Sequence, residues 1–199
     1  MTIGIIGSGA IGTAFARTLA RAGIETVISN SRGPDSLQEL VRDLGPTIRA
    51  GTREEAARAG IVFVAVNWTK LPAAMAGLPH WNGRIVIDAN NAIEAPLFKP
   101  VELGGRASSE VFADLVPGAR VVKAFNHLRA ELLATDPGSD GGRRVLFYSG
   151  NDPAAKAEVA ALIERLGFAG IDLGPLAGGG KLAQFPGGPF PNQNLVKIG

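Results

Sequence analysis

Three glycines near the N-terminus have the spacing of a phosphate-binding turn. Residues 7–12 read Gly-Ser-Gly-Ala-Ile-Gly and stand between the apolar run at residues 3–6 and a helix-forming stretch. In this pattern Gly7 permits a tight turn, Gly9 lets the backbone approach a pyrophosphate, and Gly12 permits close packing of helix on strand. The free N–H groups at the helix start favour anions. The alternative is a glycine-rich turn that serves packing alone.

A second candidate binding loop follows the next predicted strand, roughly 20 residues further along the chain. It reads Ser29-Asn30-Ser31-Arg32 and contains no acid. Proteins that bind NAD keep Asp or Glu here for the ribose 2′-hydroxyl. Ser31 can instead donate to a 2′-phosphate, and Arg32 can pair with it and lie over the adenine. The loop therefore favours NADP(H) over NAD(H), the alternative being a polar loop with one solvated arginine.

Asparagines follow three later predicted strands, where ligands of open α/β sheets bind. An asparagine amide both donates and accepts hydrogen bonds, as a nicotinamide carboxamide and its ribose require. Asparagine is also frequent in turns for local reasons, so the joint placement carries the argument. The three strand ends read Val66-Asn67-Trp68, Asp88-Ala89-Asn90-Asn91 and Lys123-Ala124-Phe125-Asn126-His127.

The elements that must position these residues alternate between apolar runs and helical stretches, which indicates βαβ units. We expect a Rossmann-type α/β domain, with a doubly wound and mostly parallel sheet, over residues 1–173. Residues 174–199, rich in Gly and Pro, are expected to be an irregular C-terminal segment of the same domain. The predicted strands are 3–6, 25–29, 47–50, 61–66, 84–88, 121–125, 144–149 and 168–173, and the predicted helices are 10–22, 36–44, 52–59 and 153–166.

Composition excludes several classes of function. The chain has 199 residues, 46% of them hydrophobic and 19% charged, which is typical of an ordinary globular domain. Its net charge of +2 is spread without a basic run, so nucleic acid is not an expected partner. With no cysteine and only two histidines, far apart, neither a disulfide nor a metal site is expected. The longest apolar run, residues 61–66, is too short for a membrane span, and a cytoplasmic location is expected.

Taken together, these motifs resemble the coenzyme F420-dependent NADP oxidoreductase family, and in particular its short dinucleotide-binding branch. The resemblance rests on residues 7–12, 29–32, 87–91 and 122–126, with the late segment 172–179, and so spans nearly the whole chain. It implies NADP(H) binding and hydride exchange with a deazaflavin (F420) or a flavin. Relatives often carry Pro and Thr where this chain has Asn67 and His127, close to where the acceptor is expected.

Site roles follow from this resemblance. It implies that the backbone N–H groups of Ser8, Ala10 and Ile11 hold the pyrophosphate and that Ser31 and Arg32, beside Asn30, hold the 2′-phosphate. Residues bordering the nicotinamide would be Asn67, Trp68, Ala124 and Asn126. Val66 and Asn90, at the ends of two predicted strands, are also expected to bind the cofactor.

Hydride transfer needs little acid–base chemistry, but the reduced acceptor takes up a proton. His127 is a candidate donor because its unperturbed pKa lies near neutrality; the alternative is a structural or exposed histidine. The C-terminal segment, with Phe185, Pro186 and Phe190, is expected either to form a flap over the acceptor or to pack on a homodimer partner.

Two functions stay open at this point. One is an NADPH-dependent reductase of a small flavin-like or F420 acceptor, and the other is a non-catalytic NADP(H)-binding redox sensor. A dehydrogenase of small metabolites is disfavoured, because the chain lacks the large helical substrate domain of such enzymes. An enzyme needs an open acceptor pocket beside the nicotinamide, whereas a sensor can fill it.

Overall fold

The structure, a computed structural model, describes residues 2–94, 98–139 and 141–199. One large, mostly parallel sheet dominates this part of the chain, with a separate two-stranded hairpin, β6–β7, beside it. The strands are β1 (Ile3–Ile6), β2 (Thr26–Ser29), β3 (Ile48–Ala50), β4 (Ile61–Val64), β5 (Ile85–Asp88), β6 (Ile93–Glu94), β7 (Lys99–Pro100), β8 (Arg120–Ala124), β9 (Gly138–Ser139), β10 (Gly142–Gly150), β11 (Ala169–Asp172) and β12 (Val196–Ile198).

Helices cover both faces of the sheet. Two of them begin as the sequence predicts: Thr52 and Glu55 form a reciprocal capping box, and Asp152 caps a helix whose first residue is Pro153. The helices are α1 (Ala10–Arg21), α2 (Gln38–Leu44), α3 (Arg53–Ala57), α4 (Leu71–Met75), α5 (Ser108–Asp114), α6 (Ala130–Ala134), α7 (Pro153–Arg165) and α8 (Leu176–Leu182), with short 3-10 turns at Pro34–Leu37 and Trp68–Lys70.

The strand order confirms the predicted fold class. Six parallel strands lie in the order β3-β2-β1-β4-β5-β8, and β10 continues the sheet antiparallel to β8, followed by β11 parallel to β10. From β1 the chain adds β2 and β3 on one side, and it then returns to add β4 on the other side of β1. Parallel sheets bind ligands at such a reversal, beyond the carboxyl ends of the strands.

Alternation of side chains across the sheet explains why the central strands are apolar throughout. Along β1, Ile3 and Ile5 pack on one face with α1 and α7, whereas Ile6 packs on the other with α3 and α4. On the first face, Phe15 of α1 stacks on Phe63 of β4 with ring centroids 4.0 Å apart. The buried core therefore fixes the start of α1 directly above the end of β1.

The C-terminal segment differs from the sequence prediction. Instead of being irregular throughout, it forms the helix α8 and the strand β12, which pairs antiparallel with the start of β10. The helix carries three consecutive glycines, whose low helix propensity hides it from a sequence reading. Contacts with α5 and β10 stabilise it in place of propensity. No helix in the described ranges is long and apolar enough to cross a membrane.

Candidate functional site

The turn between β1 and α1 depends on glycine at two positions. Gly7 has a φ of +111°, and a Cβ there would lie 2.1 Å from the carbonyl oxygen of Ala65. A Cβ on Gly12 would lie 1.9 Å from the carbonyl oxygen of Gly7. Around Gly9, by contrast, a Cβ would meet nothing within 4 Å. The first and third glycines thus close the turn, and the middle one leaves room above it.

Helix α1 begins without a side-chain cap. Gly9 is its N-cap, and the first turn carries no acidic residue. The first N–H groups of an α-helix have no partner within the helix, and they concentrate positive potential there. At the start of α1 these include the N–H groups of Ala10 and Ile11. The helix start therefore fits an anionic ligand, as the glycine pattern predicts.

Asn30 organises the loop after β2. Its Nδ2 donates to Ser8 Oγ at 3.2 Å and to Ser36 Oγ at 3.0 Å. Its Oδ1 accepts the backbone N–H of Arg32 at 2.9 Å. The amide of Asn30 is thus engaged within the protein, while the side chains of Ser31 and Arg32 are exposed. This arrangement ties the candidate 2′-phosphate loop to the glycine turn.

An open cleft of about 570 Å³ lies between these two loops and the segment after β4. It brings together the predicted Gly7, Ser8, Gly9, Asn30, Ser31, Arg32, Val66 and Asn67. Three cations, Arg32, Arg53 and Lys70, lie among the described residues that line it, and no carboxylate does. The cleft therefore favours a ligand with several negative charges. Its remaining lining residues are Ile6, Ala65, Ala73 and Ala74.

Sequence reasoning missed Arg53 and Lys70. Neither belongs to a glycine motif or directly follows a strand: Arg53 opens α3, and Lys70 closes the 3-10 turn before α4. Arg53 reaches the cleft because α3 packs on β1 and β2, and Lys70 reaches it because β4 lies beside β1 in the sheet. A helical projection of residues 68–75 would have been the one usable signal, since Lys70, Ala73 and Ala74 share a helix face.

Beyond the cleft, a buried ionic network holds the carboxyl ends of β5 and β8. Lys123 and Asp88 are fully buried, with Nζ 3.2 Å from Oδ2. Lys123 also donates to the carbonyl oxygen of Asn90 and to Ser108 Oγ. Asp88 accepts from Ser109 Oγ at 2.9 Å and from the side chain of Asn90 at 2.7 Å. Burial lowers the pKa of Lys123, and the neighbouring Asp88 carboxylate opposes that shift.

Through this network Asn90 supports the cleft rim. Its Oδ1 accepts the backbone N–H of Val66 at 2.7 Å, while its Nδ2 is held by Asp88. The side chain of Asn90, predicted to bind cofactor, is thus engaged in joining the ends of β4 and β5. Trp68, which follows Asn67 on this rim, is half-buried against the core cluster on the α3–α4 face.

Asn126 lies under the C-terminal segment. Its Nδ2 donates to Asn91 Oδ1 at 3.0 Å and to the carbonyl oxygen of Ala183 at 2.6 Å. Asn91 Oδ1 also accepts the backbone N–H of Phe185 at 3.1 Å. The Oδ1 atom of Asn126 is buried and has no partner among the described residues. That atom is an acceptor suited to an amide N–H group such as that of a carboxamide.

His127 does not have the environment that its proposed role needs. Its side chain is 1% exposed, and neither ring nitrogen forms a hydrogen bond within the described residues. The ring lies against Phe147, which stacks on Phe190 of the C-terminal segment. Burial lowers the pKa of His127 to about 4, so the ring is neutral at pH 7. The geometry does not support the predicted proton transfer, because the near-neutral pKa assumed for it is lost on burial.

The remaining predicted residues lie outside the cleft lining. Ala10, Ile11 and Gly12 belong to the first turn of α1, beyond the edge of the cleft. Ala124 is buried as the last residue of β8. Within the described ranges, no group of three His, Cys, Asp or Glu residues could hold a metal ion. The glycine turn, the start of α1 and the Asn126 Oδ1, which lacks a partner within the described ranges, all lie beyond the carboxyl ends of parallel strands, where open α/β sheets bind ligands.

The chain is similar to a known protein family and to several solved structures. Residues 2–92 match the family described as NADP oxidoreductase, coenzyme F420-dependent. A hypothetical protein from Sinorhizobium meliloti, SMa0349, is 47% identical, with 99% of this chain and 96% of that chain covered and a TM-score of 0.93. A proposed F420-dependent NADP reductase from Arthrobacter sp. FB24 is 31% identical, with 88% and 86% covered and a TM-score of 0.74.

Curated relatives include the metalloreductase STEAP3 of Rattus norvegicus, which is 30% identical over 92% of this chain. The chain spans 36% of that relative's length. An imine reductase from Myxococcus stipitatus in complex with NADP+ shares the fold, with a TM-score of 0.63. It is 17% identical, and the match covers 89% of this chain and 56% of that chain. The resemblance inferred from the motifs is confirmed: the chain belongs to the coenzyme F420-dependent NADP oxidoreductase family.

Proposed function

We propose that this protein is an NADPH-dependent reductase that exchanges hydride with a flavin-like or deazaflavin (F420) acceptor. The observation that carries the proposal is the cleft at the sheet reversal. There an uncapped helix start faces a space lined by three cations and no carboxylate among the described residues. Such a lining suits the charges of NADP(H), and family membership supports the reductase chemistry.

Each part of the cofactor has matching residues in this proposal. The N–H groups of Ser8, Ala10 and Ile11 hold the pyrophosphate, because no side chain in the described part of the chain caps the start of α1. Ser31 and Arg32 hold the 2′-phosphate. The nicotinamide extends along the rim formed by Val66, Asn67 and Trp68 towards Ala124 and Asn126, whose unpartnered Oδ1 accepts from the carboxamide.

Bound NADPH supplies the hydride, and the protein supplies geometry. Hydride transfer requires that the nicotinamide face be held against the acceptor with water excluded. The Asp88–Lys123 network serves this need by fixing Asn90 and, through it, the backbone of Val66. The C-terminal segment excludes water above Asn126. Since His127 is buried and neutral at pH 7, the acceptor's proton comes from solvent in this proposal.

The first test mixes the protein with NADPH or NADH and with F420, FMN, FAD or a quinone, following cofactor and acceptor absorbance. Fast oxidation of NADPH with one acceptor, and slow oxidation of NADH, is the expected result. Arg32→Ala should lower NADPH affinity about tenfold or more while leaving NADH affinity unchanged, because it removes a charge-assisted phosphate contact. Arg17→Ala, an exposed substitution on α1, is the control. A wild-type preference for NADH would contradict the proposal.

One observation favours a second candidate, a redox sensor that binds NADP(H) without turnover. Ala183 and Phe185 engage Asn126 and Asn91, at the edge where an acceptor must reach the nicotinamide. A sensor can keep this edge filled. Tight NADPH binding with no turnover on any acceptor of the panel, together with an NADPH-dependent change in protease sensitivity of the C-terminal segment, would favour the sensor.

A homodimer and a cytoplasmic location belong to the same proposal. The C-terminal segment packs on its own chain, through Asn126 and His127. Its expected packing on a second copy therefore has no contact in the structure that supports it. Light scattering during size-exclusion chromatography tests the dimer, with a mass near twice 20.6 kDa as the expected result.

A further inference from the structure

We propose that Lys70 binds the 2′-phosphate of the cofactor from the wall of the cleft opposite Arg32, and so determines specificity for NADP(H). This inference rests on the proposed NADP(H) binding. It adds a residue that no glycine or strand-end motif indicates. The first observation is position: Lys70 and Arg32 line the same cleft, one from the 3-10 turn after β4 and the other from the loop after β2.

The second observation is that Lys70 is available to a ligand. Its side chain is exposed, and within the described ranges its ammonium group has neither an ion-pair partner nor a hydrogen-bond acceptor. Arg53, the third cation of the cleft, is already engaged. It donates to the carbonyl oxygens of Ala73 at 2.9 Å and Ala74 at 3.0 Å, and it lies 3.5 Å from Glu54 Oε1.

Arg53 also explains how the far wall keeps its place. Helix α4 has five residues, and the carbonyls at its C-terminal end lack partners within so short a helix. By accepting from Arg53, the carbonyls of Ala73 and Ala74 join α4 to the start of α3. Lys70 immediately precedes α4, and its backbone N–H donates to the carbonyl oxygen of Asn67 at 2.8 Å. The backbone that carries Lys70 is therefore held at both ends.

Charge balance selects the 2′-phosphate over the pyrophosphate as the group bound by Lys70. The pyrophosphate is provided with backbone N–H groups and the dipole of the twelve-residue helix α1. A 2′-phosphate carries close to two negative charges at pH 7, whereas the loop after β2 offers one cation, Arg32, and the hydroxyl of Ser31. Lys70 supplies the second positive charge from across the cleft.

The test measures the affinity of wild type and Lys70→Gln for NADPH, NADH and 2′,5′-ADP by calorimetry at low and moderate salt. Lys70→Gln should weaken NADPH and 2′,5′-ADP about tenfold and leave NADH unchanged, since a charged phosphate contact is lost. The loss should shrink as salt screens the cleft. Lys70→Arg, which retains the charge, should keep most of the affinity.

Lys197→Gln is the matched control, because it removes an exposed lysine on β12, outside the cleft. It should change none of the three affinities. An equal loss of NADPH and NADH affinity in Lys70→Gln would overturn the inference, since Lys70 would then bind the pyrophosphate. No loss would overturn it as well. Wild-type protein that binds NADH as tightly as NADPH would contradict the proposed function first, and this inference with it.

Discussion

The two ends of the proposed cofactor path are built in opposite ways. At β1 and β2, backbone N–H groups and exposed side chains surround an open cleft of about 570 Å³. At β5 and β8, buried side chains bond to one another and to the C-terminal segment, as Asn126 does to Asn91 and Ala183. The first end is prepared for a ligand, whereas the second satisfies most of its polar groups internally.

In the proposed complex, this difference places cofactor binding at the open end of the sheet edge and hydride transfer at the filled end. A charged ligand can enter the open end without breaking any bond within the protein. At the filled end, the Nδ2 of Asn126 is already engaged by Asn91 and Ala183, and only its Oδ1 has no partner among the described residues. Substitutions at the filled end should therefore act mainly on stability, and those at the open end mainly on affinity.

The largest effect is expected at the buried ion pair of the filled end. Lys123→Ala leaves the fully buried Asp88 without its charge partner. Removing one partner of a buried pair costs about 3–5 kcal/mol. We expect a loss of that size in the free energy of unfolding, measured in urea at pH 7.

The control for this prediction is the double variant Asp88→Asn/Lys123→Met, which removes both charges. It should recover much of the loss, since the unpaired buried charge is the main source of the cost. A loss below about 1 kcal/mol in Lys123→Ala would show that water reaches Asp88, and the contrast between the two ends would then fail.

A second effect is expected from His127, through pH. Its folded pKa of about 4 lies below the ordinary value of 6.5, so between these values the unfolded chain takes up a proton that the folded protein does not. Stability therefore falls as the pH drops from 6.5 towards 4 and levels off below. At pH 4.5 the loss should be about 2.5 kcal/mol.

Urea unfolding of wild type and His127→Leu at pH 7 and pH 4.5 isolates this contribution. Wild type should lose about 2.5 kcal/mol more than the variant over that interval. Equal losses would mean that the ring is solvated or hydrogen-bonded in solution, and the proton-transfer role predicted from sequence would regain support.

A smaller effect is expected where the C-terminal segment joins the sheet edge. Asn91→Ala removes the acceptor shared by Asn126 Nδ2 and the Phe185 N–H. Leaving such donors unsatisfied costs about 1–2 kcal/mol. Hydrogen exchange should show lost protection at the Phe185 amide, whereas Asn91→Asp, which keeps an acceptor, should retain it. Unchanged protection in Asn91→Ala would show that other contacts hold the segment.

The open end could be predicted from sequence because its determinants are local. Residues 7–12 form the turn, the uncapped helix and the strand junction within six positions, and the loop at Ser31 and Arg32 follows one strand later. Helix α1 and eight strands were predicted to within a few residues for the same reason, since each follows a local apolar pattern; these strands are β1–β5, β8, β10 and β11. The short strands β6, β7, β9 and β12 and the helices α4, α5, α6 and α8 were not predicted. Arg53 and Lys70 were missed because only the packing of α3 and the order of the sheet bring them to the cleft.

The filled end could not be predicted because its contacts join distant parts of the chain. Asn91 and Asn126 are 35 positions apart, and Asn91 and Phe185 are 94 apart. His127 lies against Phe147, on which Phe190 of the C-terminal segment stacks, and no local pattern indicates where that segment docks. Residue type and the position after a strand suggested ligand contacts for Asn90, whereas the fold engages its side chain with Asp88 and Val66.

The smallest effect on folding, and the sharpest test of the open end, is expected for Gly9→Ala. Gly9 has a φ of −74°, which any residue adopts, and an added Cβ meets nothing within 4 Å. As an N-cap change it should cost about 0.5–1 kcal/mol. In the proposed complex, however, that methyl group occupies the space of the pyrophosphate, so NADPH affinity should fall at least about tenfold.

Gly12→Ala is the matched variant: its Cβ would lie 1.9 Å from the Gly7 carbonyl oxygen, so it should lower the melting temperature as well as the affinity. If Gly9→Ala binds NADPH like wild type, the pyrophosphate does not lie over this turn, and the proposed placement of the cofactor at the open end fails.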